Sequence, residues 1–500
     1  MLPYALYTAR QVRELDRLTL QTLAIDGYTL MCKAGQAAFA TVRTQWPKAR
    51  RLSILCGPGN NGGDGYVLAR LALAVGFEVR VLEWGPPERL PEAASQARKA
   101  WHEAGGKAHD DLHTALAGAD LVVDALLGTG LQRPVSGLLA QWIEAINQSS
   151  CPVFALDVPS GLDADQGAVL GTAVKANLTL SFIALKPGLF TAEGQAHSGT
   201  VLWDGLGAPP EVYTALPPYA QRLDRQRLAD FLTPRVASAH KGHFGHVLAI
   251  GGAPGMSGAV RLCAEAAARA GAGLVSVATH PDHAALIAQA CPELMSHGIV
   301  RSAELAPLLK RATVIAMGPG LGQDRWSRML WEQALASHLP MVVDADALNL
   351  LAQQPIRRDS WILTPHPGEA ARLLGETDAR AVQAARFTAA ERIAARYGGV
   401  CVLKGSGTLI TDGPQRWLCS AGNPGMASGG MGDVLTGLIT GLLAQGRRLT
   451  ASACAGVCLH ASAADQAAAA GMQGLLASDV LTQVRGVISG AALQSLRTPP

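Results

Sequence analysis

The chain has no CxxC pair, no GxxxxGK[ST] loop, no block of basic residues and no uninterrupted apolar run of the length a membrane helix needs. Each absence removes a class. Nine cysteines, an odd number, are scattered along the chain. Cys454 and Cys458 stand four apart, but in an alanine-rich helical stretch without further ligand-type residues. They read as reduced, buried thiols, neither a disulfide frame nor a zinc site. A membrane span takes about 18 or more apolar residues in a row, so none is expected. The opening segment, MLPYALYTARQVRELDR, lacks a basic region followed by an apolar one. No secretory signal is expected, and the expected location is cytoplasmic. Net charge is +3 over 500 residues, so neither nucleic acid nor a membrane surface is an expected partner. What is abundant is apolar sequence, 49% of residues, enough for large cores and incompatible with a mostly disordered chain.

A chain of this length exceeds what one core usually serves, which predicts two domains. Both halves repeat a short apolar run, a glycine or aspartate at its end, and then a helical pattern. That rhythm predicts an α/β fold with parallel sheets and crossover helices. The candidate strands of the first half are Leu52–Cys56, Val79–Glu83, Leu121–Leu126, Val153–Asp157 and Leu178–Phe182. Those of the second are His246–Ile250, Leu274–Thr279, Val314–Met317, Met341–Asp344, Trp361–Leu363 and Val400–Lys404. Between them lies Ala208-Pro-Pro-Glu-Val-Tyr-Thr-Ala-Leu-Pro-Pro, a stretch expected to break helix and strand alike. The expected domains are 1–225 and 226–500. The halves share a class but no motifs, so they are not an internal repeat.

In the first half, strand Leu52–Cys56 runs into Gly57-Pro-Gly-Asn-Asn-Gly-Gly-Asp-Gly65, and Tyr66–Ala74 looks helical. Such a junction lets backbone approach a ligand and offers helix amides to an anion. It also serves as a plain tight turn. A dinucleotide fingerprint fits less well, because polar side chains fill the loop. Asp124 ends a second strand and leads into the glycine loop up to Arg133 and Pro134; Asp157 ends a third and leads into Val-Pro-Ser-Gly-Leu-Asp163. An aspartate at a strand end can be a mere helix cap. Three oxygen-rich loops at one sheet edge point instead to a crevice.

The motifs NNGGDG, DALLGTGLQRP, LDVPSGLDADQG and KANLTLSFIALKPGL, in this order, resemble the NAD(P)H-hydrate epimerase domain of the YjeF N-terminal type over roughly residues 10–215. The resemblance implies a Rossmann-like three-layer sandwich. It implies that Asn60, Asn61, Gly62, Gly63 and Asp64, with Gly128, Thr129, Gly130, Leu131, Gln132, Arg133 and Pro134, line the substrate. It further implies that Asp157 contacts the damaged nicotinamide ring and that Asn61, Asp124 and Ser160 hold K+. Carboxylate, amide and hydroxyl oxygens suit any hard cation. Inversion at C6 of the hydrated ring needs proton transfer near neutral pH, which points to Asp157 as acid/base group, with Asp64 in reserve.

In the second half, Asn423-Pro-Gly-Met-Ala-Ser-Gly-Gly-Met-Gly-Asp-Val-Leu-Thr-Gly437 precedes an apolar helical stretch, Val434–Leu443. Its amides are placed to meet an anion, and Asp433 falls in the first turn, where a capping role is also open. A second loop, Lys404, Gly405, Ser406, Gly407 and Thr408, follows a strand upstream. Lys404 serves either phosphate or the strand end. With KGHFGH, GGAPGMSGA, MGPGLG, DADALN and TPHPGE ahead of it, the order ending in GGMGDVLTG resembles the ribokinase-like ADP/ATP-dependent NAD(P)H-hydrate dehydratases over roughly residues 230–490. The resemblance implies that Ala259, Gly320, Gly322, His366 and Asp433 contact the hydrated dinucleotide. It implies that Lys404 to Thr408 and Gly432 contact ADP or ATP, which carries Mg2+, with Asp433 as the base. His366 can equally be a satisfied loop histidine. Met431 stands where the commoner form has threonine, which removes a hydroxyl from the phosphate site.

The expected function is therefore bifunctional repair: epimerisation of R- and S-NADHX and NADPHX, and dehydration of the S form at the expense of ADP or ATP, by a homo-oligomer. Two rival readings remain at this point. One is a small-alcohol kinase fused to an unrelated dinucleotide domain. The other is a non-catalytic sensor in the first half.

Overall fold

A computed structural model describes residues 2–495. The chain divides into two compact units, Met1–Gln221 and Arg222–Pro500. In the first unit, seven strands form one parallel sheet in the order Ala108–His109, Glu78–Glu83, Arg51–Cys56, Leu121–Ala125, Val153–Leu156, Leu178–Phe182, Thr200–Asp204. The central strands are buried on both faces and therefore read as continuous apolar runs. Alternate side chains feed two cores. Ile54, Leu121 and Val123 face helices Gly27–Gln45 and Asn60–Ala74; Leu55, Leu82 and Val122 face helix Gly137–Gln148. This is the Rossmann-like three-layer arrangement. Chain direction across the sheet reverses between Arg51–Cys56 and Leu121–Ala125, so the loops after these strands diverge and leave a crevice at the carboxyl edge.

The strands of the second unit run Arg416–Cys419, Thr408–Thr411, Val400–Leu403, Trp361–Leu363, Met341–Val343, Val314–Met317, His246–Ile250, Leu274–Thr279, Met295–Gly298. Pairing is parallel except for the hairpin at the first end, where Thr408–Thr411 lies antiparallel to both neighbours. This is the ribokinase-like α/β arrangement. Here the switch point lies between His246–Ile250 and Val314–Met317. Helices Ser257–Arg269 and Met431–Leu443 cross closely over the sheet: a β-carbon at Gly437 would sit 2.0 Å from the carbonyl of Cys263, so no larger residue fits.

Several boundaries differ from those expected. Helix formation starts at Asn60, so NNGGDG is helix, not loop. The proline-rich stretch holds a short helix, Pro210–Thr214, because proline at a first helical position sacrifices no hydrogen bond. Asp157, Asp344 and Lys404 lie one residue past their strands. All nine cysteines are free thiols, with Cys454 and Cys458 buried in helix Leu449–Ala467. No described helix is long and apolar enough to cross a membrane.

Candidate active sites

In the first unit, Gly57 follows its strand and meets the neighbouring one: a β-carbon there would lie 1.6 Å from the Leu126 carbonyl. Gly57, Gly59 and Gly62 do carry G-x-G-x-x-G spacing, which the polar residues between them obscure. Helix Asn60–Ala74 begins at Gly59 with no side-chain cap, so its first amides stay open, as an anion site needs.

Beside it, Asp124 is fully buried. Its Oδ1 accepts the Ser160 hydroxyl (2.5 Å) and the Leu126 N–H (3.2 Å), and its Oδ2 accepts the Ser160 N–H (2.8 Å). Burial pushes its carboxyl up to about 6 against these bonds. Asn61 donates to the Leu127 carbonyl (2.9 Å), while its buried Oδ1 has no hydrogen-bond partner. An orphaned amide oxygen beside a buried carboxylate and a hydroxyl is a donor set that fits a hard cation.

Asp157 occupies a left-handed conformation (φ 65°), rare outside glycine, which aims its side chain off the strand end. Its Oδ1 accepts the Lys186 ammonium and the Phe182 N–H (3.2 Å). Lys186 has no exposed surface, and its remaining protons go to the Ser181 hydroxyl (3.1 Å) and the Phe182 carbonyl (3.0 Å). Oδ2 faces the other way: a β-carbon at Gly128 would stand 4.0 Å from it and 3.4 Å from Asn61 Cβ. Thus Asn61, Gly128 and Asp157 share one corner. Gly130, Gln132, Arg133 and Pro134 lie exposed beyond it, and Thr129 and Leu131 are half-buried.

Two further carboxyls of this site are raised above their ordinary range. Asp64 is raised well above the usual carboxylate range by burial, then by the charges of Asp157 and Asp16, against the pull of Lys186. Asp16, from helix Ala9–Leu23, is pushed up to about 6, chiefly by burial. Sequence reading missed Lys186 and Asp16. Lys186 lies inside the quoted KANLTLSFIALKPGL segment; Asp16 sits among exposed charges that conceal it.

In the second unit, the two loops at the switch point zip together: Gly252 and Ala253 N–H groups donate to the Pro319 (3.1 Å) and Gly320 (2.7 Å) carbonyls. A β-carbon at Gly320 would lie 3.1 Å from that of Ala259, so these two expected contacts adjoin. Gly322 N–H donates to Asp346 (2.8 Å), which fixes that loop.

Helix Met431–Leu443 starts at Gly430 (φ 88°) with no side-chain cap. Asp433 is the third helical residue and not the cap that the sequence left open. Half-buried, its carboxyl is pushed up to about 7 by burial and then by the charge of Asp344, with Lys404 opposing. Lys404 serves neither expected role alone. Its ammonium donates to Asp344 Oδ1 (2.6 Å) and lies 3.7 Å from Glu369 Oε2. A β-carbon at Gly432 would be 3.3 Å from that ammonium, so the lysine stands at the mouth of the uncapped helix. Asp344 Oδ2 accepts the Thr436 hydroxyl (2.8 Å). The loop from Lys404 through Gly405, Ser406 and Gly407 to Thr408 is shaped by buried Arg386, which donates to the Leu403, Lys404 and Gly407 carbonyls. Asp344, Glu369 and Arg386 were not picked from sequence, although the first two lie inside quoted motifs.

His366 is a partly structural residue. Its Nδ1 accepts the Gly368 (3.0 Å) and Glu369 (3.4 Å) N–H groups and caps helix Pro367–Leu374. Half of its side chain remains exposed. Met431 is buried in the core, so its side chain leaves the anion site to backbone.

A Rossmann-like unit and a ribokinase-like unit, each with an open helix N-terminus and an aspartate close to it, define a two-site α/β enzyme of nucleotide chemistry. Residues 27–188 match the family model described as YjeF-related protein N-terminus, and residues 247–485 match that of NAD(P)H-hydrate dehydratase. The chain is 48% identical over 486 residues to the bifunctional NAD(P)H-hydrate repair enzyme of Coxiella burnetii, covering 97% of this chain and 99% of that one. It is 44% identical to the enzyme of that name from Escherichia coli, over 98% of this chain and 95% of that one. A Streptococcus mutans protein of solved structure is 31% identical, with a TM-score of 0.51, over 54% of this chain and 99% of that one. The chain belongs to the bifunctional NAD(P)H-hydrate repair enzyme family.

Proposed function

We propose that the first unit interconverts the R and S hydrates at the Asp157 corner, and that the second dehydrates the S hydrate at Asp433. The first assignment is supported by the convergence of Asn61, Gly128, Asp64 and Asp157 beside an uncapped helix. In this reading Asp157 Oδ2 exchanges protons with the substrate, while the amides of Asn60 to Gly62 take its phosphates. Asn61, Asp124 and Ser160 hold K+, which supplies positive charge at that corner. The orphaned Asn61 Oδ1 supports this.

The second assignment is carried by Asp433, poised near neutrality at the mouth of an uncapped glycine-opened helix. Hydroxide leaves the hydrated ring poorly. The 6-hydroxyl therefore gives its proton to Asp433 as its oxygen takes a phosphoryl group from ADP or ATP; phosphate is then expelled with a push from the ring nitrogen, and C5 gives a proton to the departing phosphate as the C5=C6 bond forms. The amides of Gly430 to Gly432 and the Lys404 ammonium neutralise the moving phosphoryl group. Mg2+ comes with the nucleotide. Among the described residues no cluster of three or more His, Cys, Asp or Glu side chains forms a metal cage. Gly320, Gly322, Ala259 and His366 hold the dinucleotide. The finer setting we propose is a cytoplasmic homo-oligomer, checked by light scattering of the purified chain.

The test incubates the full chain with mixed R- and S-NADHX and ADP or ATP, following recovery of reduced-nicotinamide absorbance. Complete recovery is expected. Recovery that halts at the initial S fraction removes the epimerase assignment; a stable phosphate ester as product removes the dehydratase one.

A further inference from the structure

Besides Asp124, the site in the first unit holds Asp157, Asp64, Asp16 and Lys186, and their contacts are unequal. Lys186 is sealed from solvent, and each of its three protons is committed: to Asp157 Oδ1, the Ser181 hydroxyl and the Phe182 carbonyl. It has no proton to offer a substrate. Asp157 Oδ1 is likewise saturated, by Lys186 and the Phe182 N–H, which leaves Oδ2 toward Gly128. By contrast, no ion pair joins Asp64 or Asp16 to a cation among the described residues. The charges facing Asp64 are Asp157 from its strand end, Asp16 from helix Ala9–Leu23, and Lys186 from beyond strand Leu178–Phe182.

We propose that Lys186 is a positioning residue of the epimerase site, which engages Asp157 Oδ1 so that Oδ2 serves as the proton acceptor, and leaves Asp64, flanked by Asp16, as the proton donor. This rests on the reading of the first unit as an epimerase. A proton passes from Asp64 to the C6 hydroxyl. The C6–O bond breaks, water departs, and the ring nitrogen lone pair forms the N1=C6 bond. Water then adds to C6, and its surplus proton goes to Asp157 Oδ2; exchange with solvent returns the pair to its starting state. A single carboxyl that had to be both acid and base would need to titrate in each turnover. Two carboxyls, one bonded to a buried ammonium and the other buried beside like charges, divide those roles between them.

The experiment uses the full chain in potassium buffer without nucleotide and follows R/S interconversion of NADHX by chromatography, from about pH 5 to about pH 9. Dehydration of S-NADHX with ADP and a melting curve serve as controls of folding. Lys186→Met is expected to cut interconversion at neutral pH at least about tenfold and to move the acid limb of the profile up by about one pH unit or more. Lys186→Arg keeps the charge and the wild-type limb. Asp16→Asn removes a like charge from Asp64, so the basic limb moves to lower pH. A Lys186→Met profile of wild-type shape, at any amplitude, overturns the proposal. Should Lys186→Met not fold, an unmoved basic limb in Asp16→Asn overturns it instead. Absence of interconversion in the wild-type chain is a different failure, that of the epimerase reading itself.

Discussion

Each unit places a lysine past a strand end, buried in the first and half-buried in the second, and gives it a carboxylate, but the partner differs. In the first unit Lys186 binds Asp157, the aspartate expected to react. In the second, Lys404 binds Asp344, and Asp433 keeps its carboxyl raised to about 7 with no ion pair of its own among the described residues. In the proposed reading, a lysine beside such an aspartate does two different jobs. It either positions that aspartate as a base or, drawn off by another carboxylate, stands ready for an anion.

The largest effects should separate the two sites cleanly. Asp433→Ala is expected to lower nucleotide-driven dehydration of S-NADHX by about 10³-fold or more, with R/S interconversion unchanged. Asp157→Asn should do the reverse, lowering interconversion by about 10²- to 10⁴-fold with dehydration intact, as chromatography of both hydrates reads out. If either substitution crippled both activities, the two sites would not be independent.

Lys404→Met sharpens the comparison. It leaves Asp344 and Glu369 buried without their cation, which costs about 3–5 kcal/mol of stability, measured by denaturant unfolding. It also removes the one charge that lowers Asp433, so the acid limb of dehydration moves to higher pH. The wild-type limb follows from the sign of that shift. Asp433 must be ionised to accept a proton, so kcat/KM holds above about 7 and falls as pH drops through it. Protonation is favoured in the folded chain, so between the usual carboxylate value and about 7 this group withdraws stability as pH rises. The smallest effect expected is that of Met431→Thr. Loss of a buried thioether costs about 1–2 kcal/mol, while the KM for nucleotide changes less than about threefold, because that side chain packs in the core.

The legible part of the fold was its interior. Strands such as His246–Ile250, Leu274–Thr279 and Leu178–Phe182 are buried on both faces, so apolar runs mark their ends directly. Edge strands escaped because they are short or half-exposed: Ala108–His109 has two residues, Met295–Gly298 carries no apolar pattern, and Thr200–Asp204 is only partly buried along its length. The glycine-opened helix starts were visible as motifs. Their electrostatic partners were not, because ion pairs link residues far apart in sequence: Asp344 lies 60 positions from Lys404, and Asp157 lies 29 from Lys186. Asp16 is harder still, one acid among Arg13, Glu14 and Arg17 on an amphipathic helix. Only folding shows which charge of such a helix turns inward.

The most direct measurement supplies ADP or ATP to mixed R- and S-NADHX and compares three full-length chains. Wild type should restore all the reduced nicotinamide, Asp157→Asn only the part that began as S, and Asp433→Ala none. Restoration beyond the S fraction by Asp157→Asn at the wild-type rate, or nucleotide-dependent restoration by Asp433→Ala at more than about a hundredth of that rate, would contradict the assignment of one reaction to each aspartate.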